Sequence, residues 1–269
     1  MATFFDTHAH LDFPDYIADL PQVVERAHAA GIERIVSIGT DLASSARAVA
    51  LAEQFPGVYA AVGWHPGHAE EAPIDFRAEL RALAAHPKVV AIGECGFDYY
   101  RLPSANGGTL EDDLQVKAKQ AVAFQQQLEV AAELGLNLVI HTRGDSFADT
   151  IAALEPFATR VRGVFHCFVG TPAEMERVLA LGSLVSFTGI ATFKNGANVR
   201  TTLAATPLGK FMLETDAPFL APMPYRGKRC EPAHVKELAT AIAAVKGCSL
   251  AELSATTCAA AREFFPKLG

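Results

Sequence analysis

Two histidines separated by one alanine, His8 and His10, follow the apolar pair Phe4-Phe5 near the start of the chain. In extended backbone, residues i and i+2 face the same side, so both imidazoles can reach one metal ion. Imidazole suits Zn and accepts Mn, Fe, Co or Ni, and the pair alone does not name the metal. A lone His-x-His also fits a hydrogen-bonded surface pair. The distinction rests on whether further ligand-type residues end later apolar runs, and they do. Glu94 follows Val89-Val90-Ala91-Ile92-Gly93, His141 follows Val139-Ile140, His166 follows Val164-Phe165, and Asp216 closes Leu213-Glu214-Thr215-Asp216.

The elements that must position these residues alternate along the chain. Strand-like runs at 34–39, 58–62, 89–93, 137–140, 163–165, 184–187 and 210–214 join the first one. Helix-like stretches are expected over 16–30, 42–55, 74–85, 114–134, 145–154, 172–181, 232–245 and 250–264, with a long loop from Glu94 onward. In the strongest of them, Ala121, Phe124, Leu128 and Ala131 keep helical spacing and Gly135 ends the run. Eight strands with intervening helices predict an α/β fold, a single (β/α)8 TIM barrel, over 1–269 as one domain. The length, 269 residues, is close to the ~250 of such barrels. An open doubly wound sheet would call for a glycine fingerprint that the sequence lacks.

Active sites of these barrels lie at the carboxyl ends of the strands, so the six residues are expected on one rim. Four histidines and two carboxylates exceed the needs of one tetrahedral ion and fit two divalent ions, Mg, Mn or Zn, sharing a bridge. Glu94 is the expected bridge, with His8, His10 and Asp216 on one ion and His141 and His166 on the other. Two ions ~3.5–4 Å apart clamp attacking and leaving oxygens and acidify a water. Glu94 and Asp216 are therefore the expected catalytic carboxylates, Asp216 also taking the proton of that water. The organisation is that of a hydrolase.

With these residues in view, the chain resembles the amidohydrolase superfamily and, more closely, the TatD family of metal-dependent deoxyribonucleases. The matching stretches include Asp6-Thr7-His8-Ala9-His10-Leu11-Asp12, Val62-Gly63-Trp64-His65-Pro66, Gly93-Glu94-Cys95-Gly96-Phe97-Asp98-Tyr99-Tyr100, Phe165-His166-Cys167-Phe168, Leu213-Glu214-Thr215-Asp216-Ala217-Pro218 and Arg226-Gly227-Lys228-Arg229. The resemblance implies a barrel of the metallo-dependent hydrolase type, the same six metal ligands and hydrolysis of DNA phosphodiesters, often from strand ends. Cys230 and Cys258 depart from the asparagines usual in that family, at positions that are not ligands. The alternative is an amide or ester hydrolase of the wider superfamily, acting on a small molecule or a nucleic-acid adduct.

A net charge of −7 leaves no room for the broad basic face of a duplex-coating protein. Phosphate must be met by local groups: His65 before Pro66, Arg143 beyond His141, and Arg226 and Arg229 in the basic loop. Arginine can grip phosphate bidentately. Phe97, Tyr99 and Tyr100 could stack bases. Such a small patch suits strand ends or short single strands of DNA. Five scattered cysteines without a Cys-x-x-Cys pair argue against a disulfide framework or a thiolate zinc site, and Cys95 and Cys167 read as inert thiols. His28, His68, His86 and His234 read as solvated. With 50% hydrophobic residues and no leader or membrane-length apolar run, the expectation is a cytoplasmic, monomeric protein without a membrane partner.

Overall fold

The computed structural model describes residues 2–269. Its eight strands are β1 (Phe4–Ala9), β2 (Ile32–Ile38), β3 (Val58–Val62), β4 (Val89–Asp98), β5 (Asn137–Arg143), β6 (Gly163–Phe165), β7 (Leu184–Phe187) and β8 (Phe211–Leu213). They pair in parallel in sequence order. Between and after them run α1 (Leu20–Ala29), α2 (Leu42–Gln54), α3 (Arg77–Ala84), α4 (Leu110–Leu134), α5 (Phe147–Leu154), α6 (Pro172–Ala180), α7 (Ala197–Ala205), α8 (Val235–Lys246) and α9 (Leu250–Phe264). This is the (β/α)8 barrel.

The seam between β8 and β1 closes just beyond the end of β8. His10 N–H donates to the Ala217 carbonyl at 2.7 Å, and Asp216 N–H donates to the His8 carbonyl at 2.9 Å. Below them the buried Asp6 carboxylate accepts from the Thr215 N–H (2.9 Å) and hydroxyl (2.6 Å). A side chain thus substitutes for missing ladder bonds, tying together the two segments that carry His8, His10 and Asp216.

Strand residues alternate between two apolar layers, as a pleat requires, except where the register shifts in β4 and Val90 and Ala91 share a layer. Phe4, Ile35, Ala60, Ile92, Leu138 and Phe165 pack in the layer that includes the helices. Phe5, Val36, Ala61, Val90, Val139 and Met212 form a second cluster with Phe264, Phe265 and Leu268 from the end of the chain. Cys258 belongs to that cluster, and Cys230 is buried in the other layer. Both departures from asparagine are therefore packed as small apolar side chains. Among the described residues, no single helix is long and apolar enough to cross a membrane.

Four elements differ from the sequence reading. The strand containing Glu94 does not give way to a loop there: β4 continues to Asp98, because Cys95 to Asp98 pair with Ile140 to Arg143 of β5. Gly96 permits that pairing, since a Cβ there would run into the His141 carbonyl oxygen. The first helix starts at Leu20, after a 3-10 turn at Pro14–Tyr16. Thr109 and Asp112 form a capping box that starts α4 at Leu110 rather than 114. The helix α7 was not expected at all.

Candidate metal centre

All six residues converge at the carboxyl rim of the barrel, and the structure assigns each imidazole an inward and an outward nitrogen. His8 Nε2 lies 3.4 Å from His10 Nε2 and 3.4 Å from Glu94 Oε2. Asp216 Oδ1 stands 3.5 Å from His10 Nε2 and 3.7 Å from His8 Nε2. On the other side, Glu94 Oε1 is 2.8 Å from both His141 Nδ1 and His166 Nε2, which are 3.1 Å from each other. Glu94 therefore turns one oxygen toward each pair of histidines.

Local backbone explains this convergence. His8 and His10 leave the same face of β1, and His166 directly follows β6. Asp216 has left-handed backbone, φ 57°, a region aspartate tolerates better than most residues. The Glu94 N–H donates to the Gly39 carbonyl at 3.0 Å, crossing from β4 to the end of β2.

The donor set fits divalent cations. Imidazole nitrogens and carboxylate oxygens face one another, buried or half-buried, at the spacing of ligands around an ion. His8 Nδ1 and His166 Nδ1 are buried without a hydrogen-bond partner. Burial alone would raise the Glu94 carboxyl, but the surrounding His166, His65, His8 and His141 hold it well below the ordinary carboxylate range. Burial opposes protonation of His166 too, yet Glu94 and Glu214 raise it well above the usual histidine value. A cluster that recruits protons this way recruits cations for the same electrostatic reason.

His65 also enters the group. Its Nε2 is 3.3 Å from His141 Nδ1 and 3.5 Å from Glu94 Oε1, while its Nδ1 accepts the Gly67 N–H at 2.9 Å. A neutral imidazole accepting at Nδ1 carries its proton on Nε2. Burial pushes the His65 pKa down to about 3, so it is a neutral donor aimed into the site.

His10, His65, Glu94, His141, His166 and Asp216 line a cavity of about 510 Å³ with Phe13, Asp98, Arg143, Ile190, Phe219 and others. Arg143 lies over the Tyr100 ring at 4.1 Å. Arg226 and Arg229 do not line it. Arg226 stacks on Phe193 at 3.7 Å, and Arg229 is bound to Asp19 (2.7 Å) and Glu231 (2.8 Å), acids that Arg26 also engages. Of the aromatics after Glu94, Phe97 is buried and Tyr100 is exposed. His68 is exposed at the cavity rim, and the half-buried His234 stacks on Tyr225.

Three acids at the site escaped the sequence reading. Asp98 Oδ2 is 3.2 Å from His141 Nε2. Glu214 Oε1 accepts the Cys167 N–H at 2.6 Å and lies 3.5 Å from His166 Nδ1. Asp6 closes the seam. A signal existed for two of them: in extended chain Asp98 shares a face with Glu94, and Glu214 with Asp216.

A parallel eight-stranded barrel with this His/Glu/Asp cluster at its carboxyl rim has the architecture of a metal-dependent hydrolase. The chain belongs to the family of TatD-related DNases, whose pattern it matches over residues 5–266. It is 38% identical to the metal-dependent hydrolase YabD of Bacillus subtilis (strain 168), over 97% of this chain and 98% of the relative. Identity to the 3'-5' ssDNA/RNA exonuclease TatD of Pantoea vagans (strain C9-1) is 36%, covering 97% and 98% of the two chains. The crystal structure of YjjV, a TatD homolog from Escherichia coli K12, superposes with a TM-score of 0.88 at 29% identity, covering 98% of each chain.

Proposed function

We propose that this metal-dependent hydrolase is a nuclease that removes nucleotides from the ends of short single-stranded DNA, using two divalent ions, Mg, Mn or Zn. The observation that carries the reading is the divided orientation of Glu94, with Oε2 toward His8 and Oε1 toward His141 and His166. In this reading His8, His10 and Asp216 would hold one ion, His141 and His166 the other, and Glu94 both. Such a pair supplies Lewis acidity toward a phosphoryl oxygen and toward water.

The remaining work falls to the chain. Asp216, at the cavity wall, holds the proton released by the attacking water. His65 offers Nε2–H to a phosphate oxygen from a position 3.5 Å from Glu94. Arg143 at the cavity mouth holds the next phosphate, with Tyr100 beneath its guanidinium as a surface for a base. Phe13 and Phe219, 5.8 Å apart, flank His10 and exclude water from a terminal nucleoside. Arg226 and Lys228 act farther along the strand, on a loop that Arg229 anchors through Asp19 and Glu231. The unit is the whole barrel, 1–269, acting as a cytoplasmic monomer. The names of the exonuclease relatives support this reading.

The apolar wall of Phe13, Val169, Ile190, Phe219 and Leu220 favours a second reading, hydrolysis of a small apolar ester or amide. The test is to strip the protein with chelator and reload it separately with Mg, Mn, Zn and Co. Each form is then incubated with single-stranded DNA and RNA labelled at either end, beside Glu94→Ala. A metal-dependent ladder absent in the variant is expected. Bound metal without cleavage of any oligonucleotide would transfer the assignment to the ester or amide.

A further inference from the structure

We propose that Asp98 is a positioning residue that holds His141 as its Nε2–H tautomer when a metal ion takes Nδ1. The inference rests on the two-ion reading above. His141 turns Nδ1 inward, 2.8 Å from Glu94 Oε1, and Nε2 outward, 3.2 Å from Asp98 Oδ2. A neutral imidazole donates from one nitrogen and accepts at the other, whereas an ionised carboxylate only accepts. In the metal-free chain Nδ1 faces the Glu94 carboxylate as Nε2 faces Asp98, so each acid can accept from the ring; once an ion takes Nδ1, one proton is left and Asp98 holds it on Nε2.

Asp98 is itself held from two directions. Its Oδ1 accepts the Tyr100 N–H at 2.9 Å, which leaves Oδ2 for the imidazole. Its backbone N–H donates to Gln120 Oε1 and its carbonyl accepts from Gln120 Nε2, each at 3.0 Å. Gln120 is buried on α4, so a helix outside the barrel fixes an imidazole inside it. The other histidines have weaker backing. His10 Nδ1 meets the Ile38 carbonyl at 3.3 Å, His8 Nδ1 meets nothing, and His166 Nδ1 reaches Glu214 only at 3.5 Å. Asp98 also serves the side of the cluster without Asp216, where protein ligands are fewest. Outer carboxylates of this kind orient a ligand and raise its basicity.

The geometry makes a distinctive prediction. In Asp98→Asn the Tyr100 N–H still requires an acceptor, so the amide oxygen stays on that side and the NH2 turns toward His141 Nε2. A donor there moves the imidazole proton to Nδ1, the wrong nitrogen. In Asp98→Ala nothing opposes Nε2–H, and the tautomer is free to follow the ion. The isosteric asparagine should thus be the more damaging change, the reverse of what lost packing would give.

Two measurements test this: calorimetric titration of the metal-stripped proteins with Mn, and long-range proton–nitrogen spectra of the imidazoles in the Zn-loaded proteins. We expect two ions in the wild type and, in Asp98→Asn, about ten- to a hundredfold weaker binding of one of them, with a smaller loss in Asp98→Ala. In the Zn-loaded wild type His141 should show Nε2–H with Nδ1 bound to the ion, a pattern lost in Asp98→Asn alone. Unchanged affinity and tautomer in Asp98→Asn, or a larger loss in Asp98→Ala, would overturn the role. Fewer than two ions in the wild type would refute the two-ion reading instead. The order of Asp98→Asn and Asp98→Ala is read on whatever ion His141 holds, and tests Asp98 either way.

Discussion

At the residue scale, Glu94 joins the two halves of the cluster, and its neighbours divide the remaining tasks. If two ions are held as proposed, Glu94→Ala should lose both of them and all turnover, and Asp216→Asn should lose turnover, each read by metal analysis beside a cleavage assay. Wild-type rates in either would refute the site. His65→Ala should behave differently, because its inward nitrogen carries a proton: metal content stays and turnover falls by about a hundredfold or more. Loss of metal in that variant would make His65 a ligand instead. Burial pushes the Asp6 carboxyl up to about 8, opposed by Thr215 and His8 donors. Asp6→Ala strands the buried Thr215 N–H and should cost about 1–3 kcal/mol, measured by urea unfolding. The six inward-facing residues were legible because each directly follows or ends an apolar run. Asp6, Asp98 and Glu214 were not assigned, because a buried acid that orients a neighbour looks in sequence like one that binds an ion. Only the partners supplied by other strands separate the two.

At the scale of elements, α4 holds more of the site than its apolar spacing suggests. Of the four residues expected to face the core, Phe124, Leu128 and Ala131 are buried and Ala121 is exposed. The buried face instead includes Gln120, Gln126 and Gln127. Each uses its amide to pair with main chain: Gln120 with Asp98, Gln126 with Ile74 and Phe76, Gln127 with Trp64. Gln127 thereby fixes the segment that delivers His65. Hydrophobic periodicity cannot find such residues, since it scores glutamine as surface. Gln127→Leu keeps bulk but leaves the Trp64 N–H and carbonyl unpaired. It should cost about 1–3 kcal/mol in denaturant unfolding, and a neutral result would mean that water replaces the amide. The helix α7 escaped for a similar reason. Its Ala-Asn-Val-Arg-Thr-Thr-Leu-Ala-Ala sequence carries only a thin apolar stripe, with Val199, Thr202 and Leu203 buried. β4 was cut short because Glu94 reads as the end of an apolar run, whereas pairing with β5 continues it.

For the whole molecule, the barrel class was readable from the alternation of elements, while closure was not, because it depends on Asp6 and on main-chain bonds beyond β8. An acidic protein concentrating imidazoles around carboxylates also predicts how metal binding responds to pH. Against burial, Asp98 and Glu94 raise the His141 pKa, Asp216 and Glu94 raise that of His10, and Glu94 and Glu214 raise that of His166. Raised values mean that the metal-free chain keeps these protons above pH ~6.5. Binding must expel them, so affinity should rise as pH increases through the raised values. Calorimetry in two buffers of different ionisation enthalpy should detect proton release at neutral pH, and none would show that the imidazoles were already neutral.

Anomalous diffraction from a Mn-loaded crystal tests most directly the proposal that Glu94 bridges two ions on this rim. Two peaks ~3.5–4 Å apart are expected, one beside His8, His10 and Asp216 and one beside His141 and His166, with Glu94 between them. A single peak, or a pair that Glu94 does not touch, would contradict it.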